Sequence, residues 1–205
     1  VTVAVLISGR GSNLAALLAA RIPVCVVVSN VPGAAGLQVA ARHGVPAHVV
    51  PHGAYDGRES FEKALARIID PHAPRYVALA GFMRILSPWF VERYAGRILN
   101  IHPSLLPAFP GLDTHARALA AGVKVHGATV HLVTAQLDHG PIVMQAALPV
   151  RFDDDAESLA ARVLVFEHQI YPQALRWALE DRLIVEEGRV RVRSGDAQLL
   201  YSDRV

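Results

Sequence analysis

An amide and an imidazole stand two residues apart at the end of an apolar run in Asn100-Ile101-His102-Pro103-Ser104-Leu105-Leu106-Pro107. If the strand that opens at Ile98-Leu99 runs on through His102, both side chains leave the same face and aim at one reacting atom. Pro103 and Pro107 stiffen the backbone that follows, which suits a group held in place before it reacts. An Asn amide can donate to a developing oxyanion, and a protonated His can do so with charge. Ordinary hydrogen bonding at a strand terminus is the plainer use of the same pair. An imidazole with an unperturbed pKa of about 6.5 needs a carboxylate beside it to stay charged near neutral pH. Asp138, in Leu137-Asp138-His139-Gly140-Pro141, is the candidate, although the same stretch also reads as a simple turn. Asp153, Asp154 and Asp155 read as the start of a helix.

Two further stretches mix chemistry with architecture. Ser8-Gly9-Arg10-Gly11-Ser12-Asn13 follows an apolar run and precedes leucines at helical spacing, so free backbone N–H groups stand where a phosphate could sit. It lacks the GxGxxG spacing and a Walker lysine, so neither a nicotinamide dinucleotide nor an ATP site is supported, and a tight turn with Ser12 or Asn13 as helix cap is the alternative. Gly81-Phe82-Met83-Arg84-Ile85-Leu86 offers either core residues, Phe82 and Leu86, or an apolar slot for a flat heterocycle whose edge pairs with backbone. Cys25, the single cysteine, lies in an apolar run and reads as a buried, inert thiol. Histidines 102, 115, 126 and 131 match no familiar zinc or iron spacing, so no metal is expected.

Elements that position these residues follow from the apolar pattern. Thr2 to Ile7, Val24 to Ser29, Pro46 to Val50, Tyr76 to Ala80 and Ile98 to Ile101 read as strands. Helical stripes fall between them at Leu14 to Leu18, Ala34 to His43, Arg58 to Asp70 and Pro88 to Tyr94, which predicts a mostly parallel sheet covered on both faces. Ala116 to Ala121 reads as a helix. Val125 to Val133 alternates like a strand and Pro141 to Ala146 returns as its hairpin partner, adding an antiparallel edge. A long helix over Asp155 to Ile170, a second helix after Pro172 and a small hairpin over Arg182 to Val192 complete the pattern, leaving Ser194 to Val205 as a weakly patterned surface appendage.

The chain has 205 residues, 52% of them hydrophobic, enough for a sizeable core in one domain. With 20 Lys and Arg against 18 Asp and Glu, the charge is too small to mark a nucleic-acid surface. No apolar run reaches the roughly 20 residues needed to cross a membrane, and no signal peptide precedes the first strand. The expectation is a soluble cytoplasmic protein.

Taken in order, the motifs resemble the phosphoribosylglycinamide formyltransferase family: Ile7-Ser8-Gly9-Arg10-Gly11-Ser12-Asn13-Leu14, Leu79-Ala80-Gly81-Phe82-Met83-Arg84-Ile85-Leu86-Ser87, the Asn100 to Pro107 run, Pro110-Gly111-Leu112, and Leu137-Asp138-His139-Gly140-Pro141. The resemblance runs from the first strand to about Pro172. It implies a three-layer, Rossmann-like α/β fold, one domain over residues 1–192 with a phosphate-binding half (1–95) and a catalytic and folate-binding half (96–192), then a tail (193–205). It implies formyl transfer from N10-formyltetrahydrofolate to glycinamide ribonucleotide in purine biosynthesis, in the cytoplasm, by a monomer or homodimer without nucleic acid, membrane or metal. It places the catalytic trio on Asn100, His102 and Asp138. The ribonucleotide falls on Gly11, Ser12, Asn13 and Glu167, and the folate on Arg58, Met83, Arg84, Ile85, Leu86, Asn100, Ala135 and Asp138.

The chain departs from the family pattern at Arg10, where Asn is common, at Asp113, where some relatives carry His, and at Leu164, where a Gln can support the phosphate. Methionyl-tRNA formyltransferase and formyltetrahydrofolate hydrolase resemble it too. They would add domains for which this chain is expected to have no room. A nucleotide-binding module without catalysis is the reading from another class.

Overall fold

A computed structural model describes residues 1–203. The chain divides into two compact units, Val1–Asn100 and Ile101–Val205. Its class is α/β, a mostly parallel sheet flanked by helices.

The first unit contains β1 (Val3–Ile7), β2 (Val24–Ser29), β3 (Ala47–Val49), β4 (Tyr76–Leu79) and β5 (Ile98–His102), the last continuing past Asn100. All are parallel, in the order β3-β2-β1-β4-β5. Every residue of β1 is buried, which is why the run reads as continuously apolar: a central parallel strand has no solvent face. Helices α1 (Ser12–Ala19), α2 (Ala35–Arg42), α3 (Arg58–Ile69) and α4 (Pro88–Arg93) connect these strands. In α3 the buried stripe is Phe61, Leu65, Ala66 and Ile69, together with one carboxylate, Glu62. Ser87 caps α4 through its hydroxyl, ahead of a proline at the first turn. Cys25 is half-buried and donates to the Val3 carbonyl oxygen at 3.4 Å, so the thiol is less enclosed than its apolar neighbours suggest.

The second unit holds α5 (Thr114–Ala120), β6 (Val125–Leu132), β7 (Ile142–Pro149), α6 (Ala156–Leu179), β8 (Leu183–Glu186), β9 (Arg189–Val192) and β10 (Leu199–Tyr201). β6 and β7 pair antiparallel, as the alternating pattern predicts. β7 is not the edge, however, because β10 lies beside it in parallel. Three residues are too few to show a periodicity, which is why the segment after Ser194 reads as unpatterned. Residues 204 and 205 of that segment lie outside the described residues.

The expected break at Pro172 does not occur, and α6 runs 24 residues through it. Proline in a helix interior forfeits one hydrogen bond and about 3 kcal/mol. Burial of Phe166, Ile170, Tyr171, Leu175 and Trp177 on both sides of it offsets that loss, at about 1.5–3 kcal/mol for each large apolar side chain. The start of α6 is fixed by a reciprocal cap: the Ser158 N–H donates to Asp155 Oδ1 at 2.8 Å and the Asp155 N–H to Ser158 Oγ at 2.9 Å. Asp154 pairs with Arg162 at 2.6 Å, so these acids serve the helix start, as expected.

Candidate active site

In the second unit β5 ends in His102, whose side chain is 7% exposed. Its Nδ1 lies 3.5 Å from Asp138 Oδ2, and its Nε2 donates to the Phe109 carbonyl oxygen at 3.0 Å. Both ring nitrogens therefore face acceptor oxygens. Asp138 adopts φ 50° in the loop after β6. Its Oδ2 also accepts the Gly111 N–H at 2.8 Å, and its Oδ1 stands 3.9 Å from His131 Nε2. A carboxylate in this place holds His102 electrostatically and is itself fixed by a backbone donor.

The loop that carries His102 onward is tied down from two strands. Thr129 of β6 donates to the Ser104 carbonyl oxygen at 2.7 Å and accepts from the Leu106 N–H at 3.0 Å. Gln145 of β7 donates to the Leu106 carbonyl oxygen at 3.0 Å and to Thr129 Oγ1 at 3.0 Å. Thr114, opening α5, donates to the Pro103 carbonyl oxygen at 2.6 Å. Two further imidazoles interact electrostatically with His102, the buried His126 and the half-buried His115, whose Nδ1 lies 3.2 Å from His126 Nε2. Burial, helped by His115, pushes His126 down to about 4, and burial lowers His115 and His131 as well.

In the first unit the segment after β1 delivers the glycine loop. Gly11, at φ 76°, precedes α1, and no side chain caps that helix, so neither Ser12 nor Asn13 serves as cap. Gly11 is packed without room for a side chain: a Cβ there would meet Gly36 Cα at 2.5 Å, and the Gly36 N–H donates to the Gly9 carbonyl oxygen at 3.0 Å. Backbone N–H groups at the start of α1 thus face outward from the helix end, the kind of place where an anion can be received.

After β4, Phe82 and Leu86 are buried while Met83 and Ile85 are 65% and 51% exposed. The core reading therefore holds for Phe82 and Leu86, while Met83 and Ile85 present apolar surface to solvent. Arg58 and Arg84 are exposed, and Asn100 is half-buried on β5, two residues before His102 on the same strand.

The Formyl transferase family model matches residues 1–175. The chain is 48% identical to the phosphoribosylglycinamide formyltransferase of Escherichia coli over 90% of each chain. It is 44% identical to the chicken (Gallus gallus) trifunctional purine biosynthetic protein adenosine-3, over 94% of this chain and 19% of that protein, so it spans about a fifth of that relative. The crystal structure of phosphoribosylglycinamide formyltransferase from Anaplasma phagocytophilum superposes with a TM-score of 0.94, at 42% identity over 99% of each chain. The chain belongs to the formyl transferase family. It is an enzyme.

Formyl transferase membership leaves the individual residues to geometry. Of the expected trio, His102 and Asp138 are adjacent in space in the second unit, and Asn100 lies on the same strand as His102. Ala135 is exposed in the loop before Asp138, and Glu167 is buried on α6. Arg10 is exposed, Leu164 is half-buried on α6, and Asp113 sits at φ 55° as the residue preceding α5. Three residues escaped the sequence reading: His131 against Asp138, and Thr129 and Gln145 against the loop. The signal was present for two of them, since Thr129 and His131 stand out as polar on the alternating run of β6.

Among the described residues no helix is long and apolar enough to cross a membrane.

Proposed function

We propose that His102, as an imidazolium held by Asp138, and the Asn100 amide stabilise the oxyanion formed when the amine of glycinamide ribonucleotide attacks the formyl carbon of N10-formyltetrahydrofolate. The reaction is formyl transfer between these two compounds in purine biosynthesis. A C–N bond forms to the acceptor amine, the bond from the formyl carbon to N10 breaks, and the proton shed by the amine passes to N10 through Asp138 or a water it holds. No covalent enzyme intermediate is involved, so Cys25 has no part in the chemistry.

The observation that carries this reading is the His102–Asp138 pair, 3.5 Å apart with the other imidazole nitrogen on a carbonyl oxygen. Gly11, Ser12 and Asn13 hold the phosphate at the uncapped start of α1, and Glu167 holds the ribose. Met83 and Ile85 give the folate heterocycle an apolar surface, supported by Arg84, Leu86 and Arg58. Asn100, Ala135 and Asp138 complete the folate contacts. The enzyme works in the cytoplasm on free small molecules, as a monomer or homodimer, without nucleic acid, membrane or metal. The test is a spectrophotometric transfer assay offering glycinamide ribonucleotide against other amines. Transfer to the ribonucleotide alone is expected. Binding of the ribonucleotide with no transfer would replace the enzyme reading with a binding module.

A further inference from the structure

The exposed strip Met83-Arg84-Ile85 is fastened at both ends by side chains that the chemistry above does not use. At its start the Met83 N–H donates to Ser8 Oγ at 2.7 Å, and that hydroxyl spends its one hydrogen on Asn30 Oδ1 at 2.5 Å. Asn30 is 2% exposed and its amide nitrogen lies 3.1 Å from His52 Nδ1. The Ser8 hydroxyl is therefore aimed, with a lone pair directed at Met83. At the other end Ser87 donates its N–H to Glu62 Oε1 at 2.7 Å and its hydroxyl to Glu62 Oε2. Glu62 is 1% exposed and Ser87 4%, and burial raises the Glu62 carboxyl above its ordinary range. Between the fastenings, Phe82 stacks on Phe61, the neighbour of Glu62, with ring centroids 6.5 Å apart.

A helix cap alone does not require this. Ser87 already accepts from the Phe90 N–H to cap α4, so a buried carboxylate behind it adds a desolvation penalty that a plain cap avoids. Two aimed polar groups at the ends of a strip that keeps its apolar side chains in solvent instead fix its backbone before anything binds. That ordering is then not charged against affinity.

We propose that Ser8 and Glu62 are positioning residues for the folate, acting through the backbone of Met83 to Leu86. The proposal rests on the assignment of this segment to the folate. Because Ser8 also opens the glycine loop, its hydroxyl joins the loop assigned to the phosphate to the segment assigned to the heterocycle.

Ser8→Ala removes the first fastening without crowding anything, and Ser8→Thr restores a hydroxyl. With the full-length enzyme, steady-state kinetics with each substrate varied in turn should give a KM for N10-formyltetrahydrofolate about tenfold higher in Ser8→Ala, the effect of about one lost hydrogen bond. The KM for glycinamide ribonucleotide should move less than twofold, and Ser8→Thr should bring the folate KM back to within about threefold of wild type. Ser87→Ala, which removes the hydroxyl half of the second fastening, should raise the folate KM in the same direction. An unchanged folate KM in Ser8→Ala overturns the proposal. So does a rise in both KM values with a lowered Tm that Ser8→Thr does not repair, since that is a structural role only. Absence of transfer by the wild-type enzyme would overturn the folate assignment and this proposal together, whereas normal wild-type transfer with an indifferent Ser8→Ala overturns this proposal alone.

Discussion

Asp138 Oδ2 accepts the Gly111 N–H at 2.8 Å and at the same time stands 3.5 Å from the imidazole Nδ1 of His102. The shorter contact is to the backbone. Asp138→Asn can keep an oxygen on Gly111 while removing the charge that faces His102, so the loop should survive and the chemistry should not. The expected result is a Tm within about 2 °C of wild type and turnover lowered by at least about 100-fold. His102→Ala should lower kcat by at least about 100-fold as well, as for loss of an oxyanion donor. Wild-type turnover in either variant would remove that residue from the reaction.

Thr129 makes three bonds with one hydroxyl, to the Ser104 carbonyl oxygen, the Leu106 N–H and the Gln145 amide. Thr129→Val keeps the shape and leaves the buried Leu106 N–H without that partner, a loss of about 2 kcal/mol that should lower Tm by about 4–8 °C. Because the loop it holds begins at His102, kcat should fall with stability while both KM values change little. Thermal melting and kinetics on one preparation check both halves. Loss of stability with full kcat would show that Thr129 supports the fold and not the position of His102.

These two cases mark what the sequence could and could not disclose. His102 and Asp138 were legible because a polar residue at a strand end, followed by prolines, or in a loop after an alternating strand, is conspicuous against its neighbours. β1 and β4 were legible because a strand buried on both faces has no polar interruption. The polar Thr129 stands out on its strand without naming its partner, and Gln145 gives no signal at all, since a glutamine on a strand looks like its solvent face until the partner loop is known. Pro172 reads as a break for the opposite reason: proline locally opposes a helix, and only burial on either side of it, which the local pattern does not record, outweighs that cost. Pairing between β7 and β10 joins residues more than fifty positions apart, which no local pattern records.

Acid should destabilise the enzyme through His126. Its folded-state pKa is pushed down to about 4 by burial, next to His115, while an unfolded histidine titrates near 6.5. The folded chain thus holds His126 neutral, and the unfolded chain takes up a proton first as the pH drops. Its contribution is fully present above about pH 6.5 and is lost progressively as the pH falls from there toward 4. His115, lowered in the same direction, steepens the same limb. Urea unfolding of wild type and His126→Gln at pH 7.5, 6, 5 and 4.5 should show a shallower decline in the variant. Parallel declines would assign the acid limb to other groups.

Gly36 has a packing role that an alanine would expose. A Cβ there would lie 2.6 Å from Ile7 Cδ1, 3.1 Å from Gly11 Cα and 3.3 Å from the Gly9 carbonyl oxygen. The Ile7 methyl can rotate aside, but two of the three contacts are backbone of the glycine loop, which has nowhere to go without moving the start of α1. Gly36→Ala should therefore push α2 off the loop, weaken the Gly36 N–H bond to Gly9 and misplace the N–H groups assigned to the phosphate. The expected outcome is a KM for glycinamide ribonucleotide raised about tenfold, a folate KM within about twofold of wild type, and a loss of about 1–3 kcal/mol in stability from overpacking. Competition by inorganic phosphate separates this from general softening. Its inhibition constant should rise in step with the ribonucleotide KM if those N–H groups are displaced, and stay put if Gly36 only supports the core.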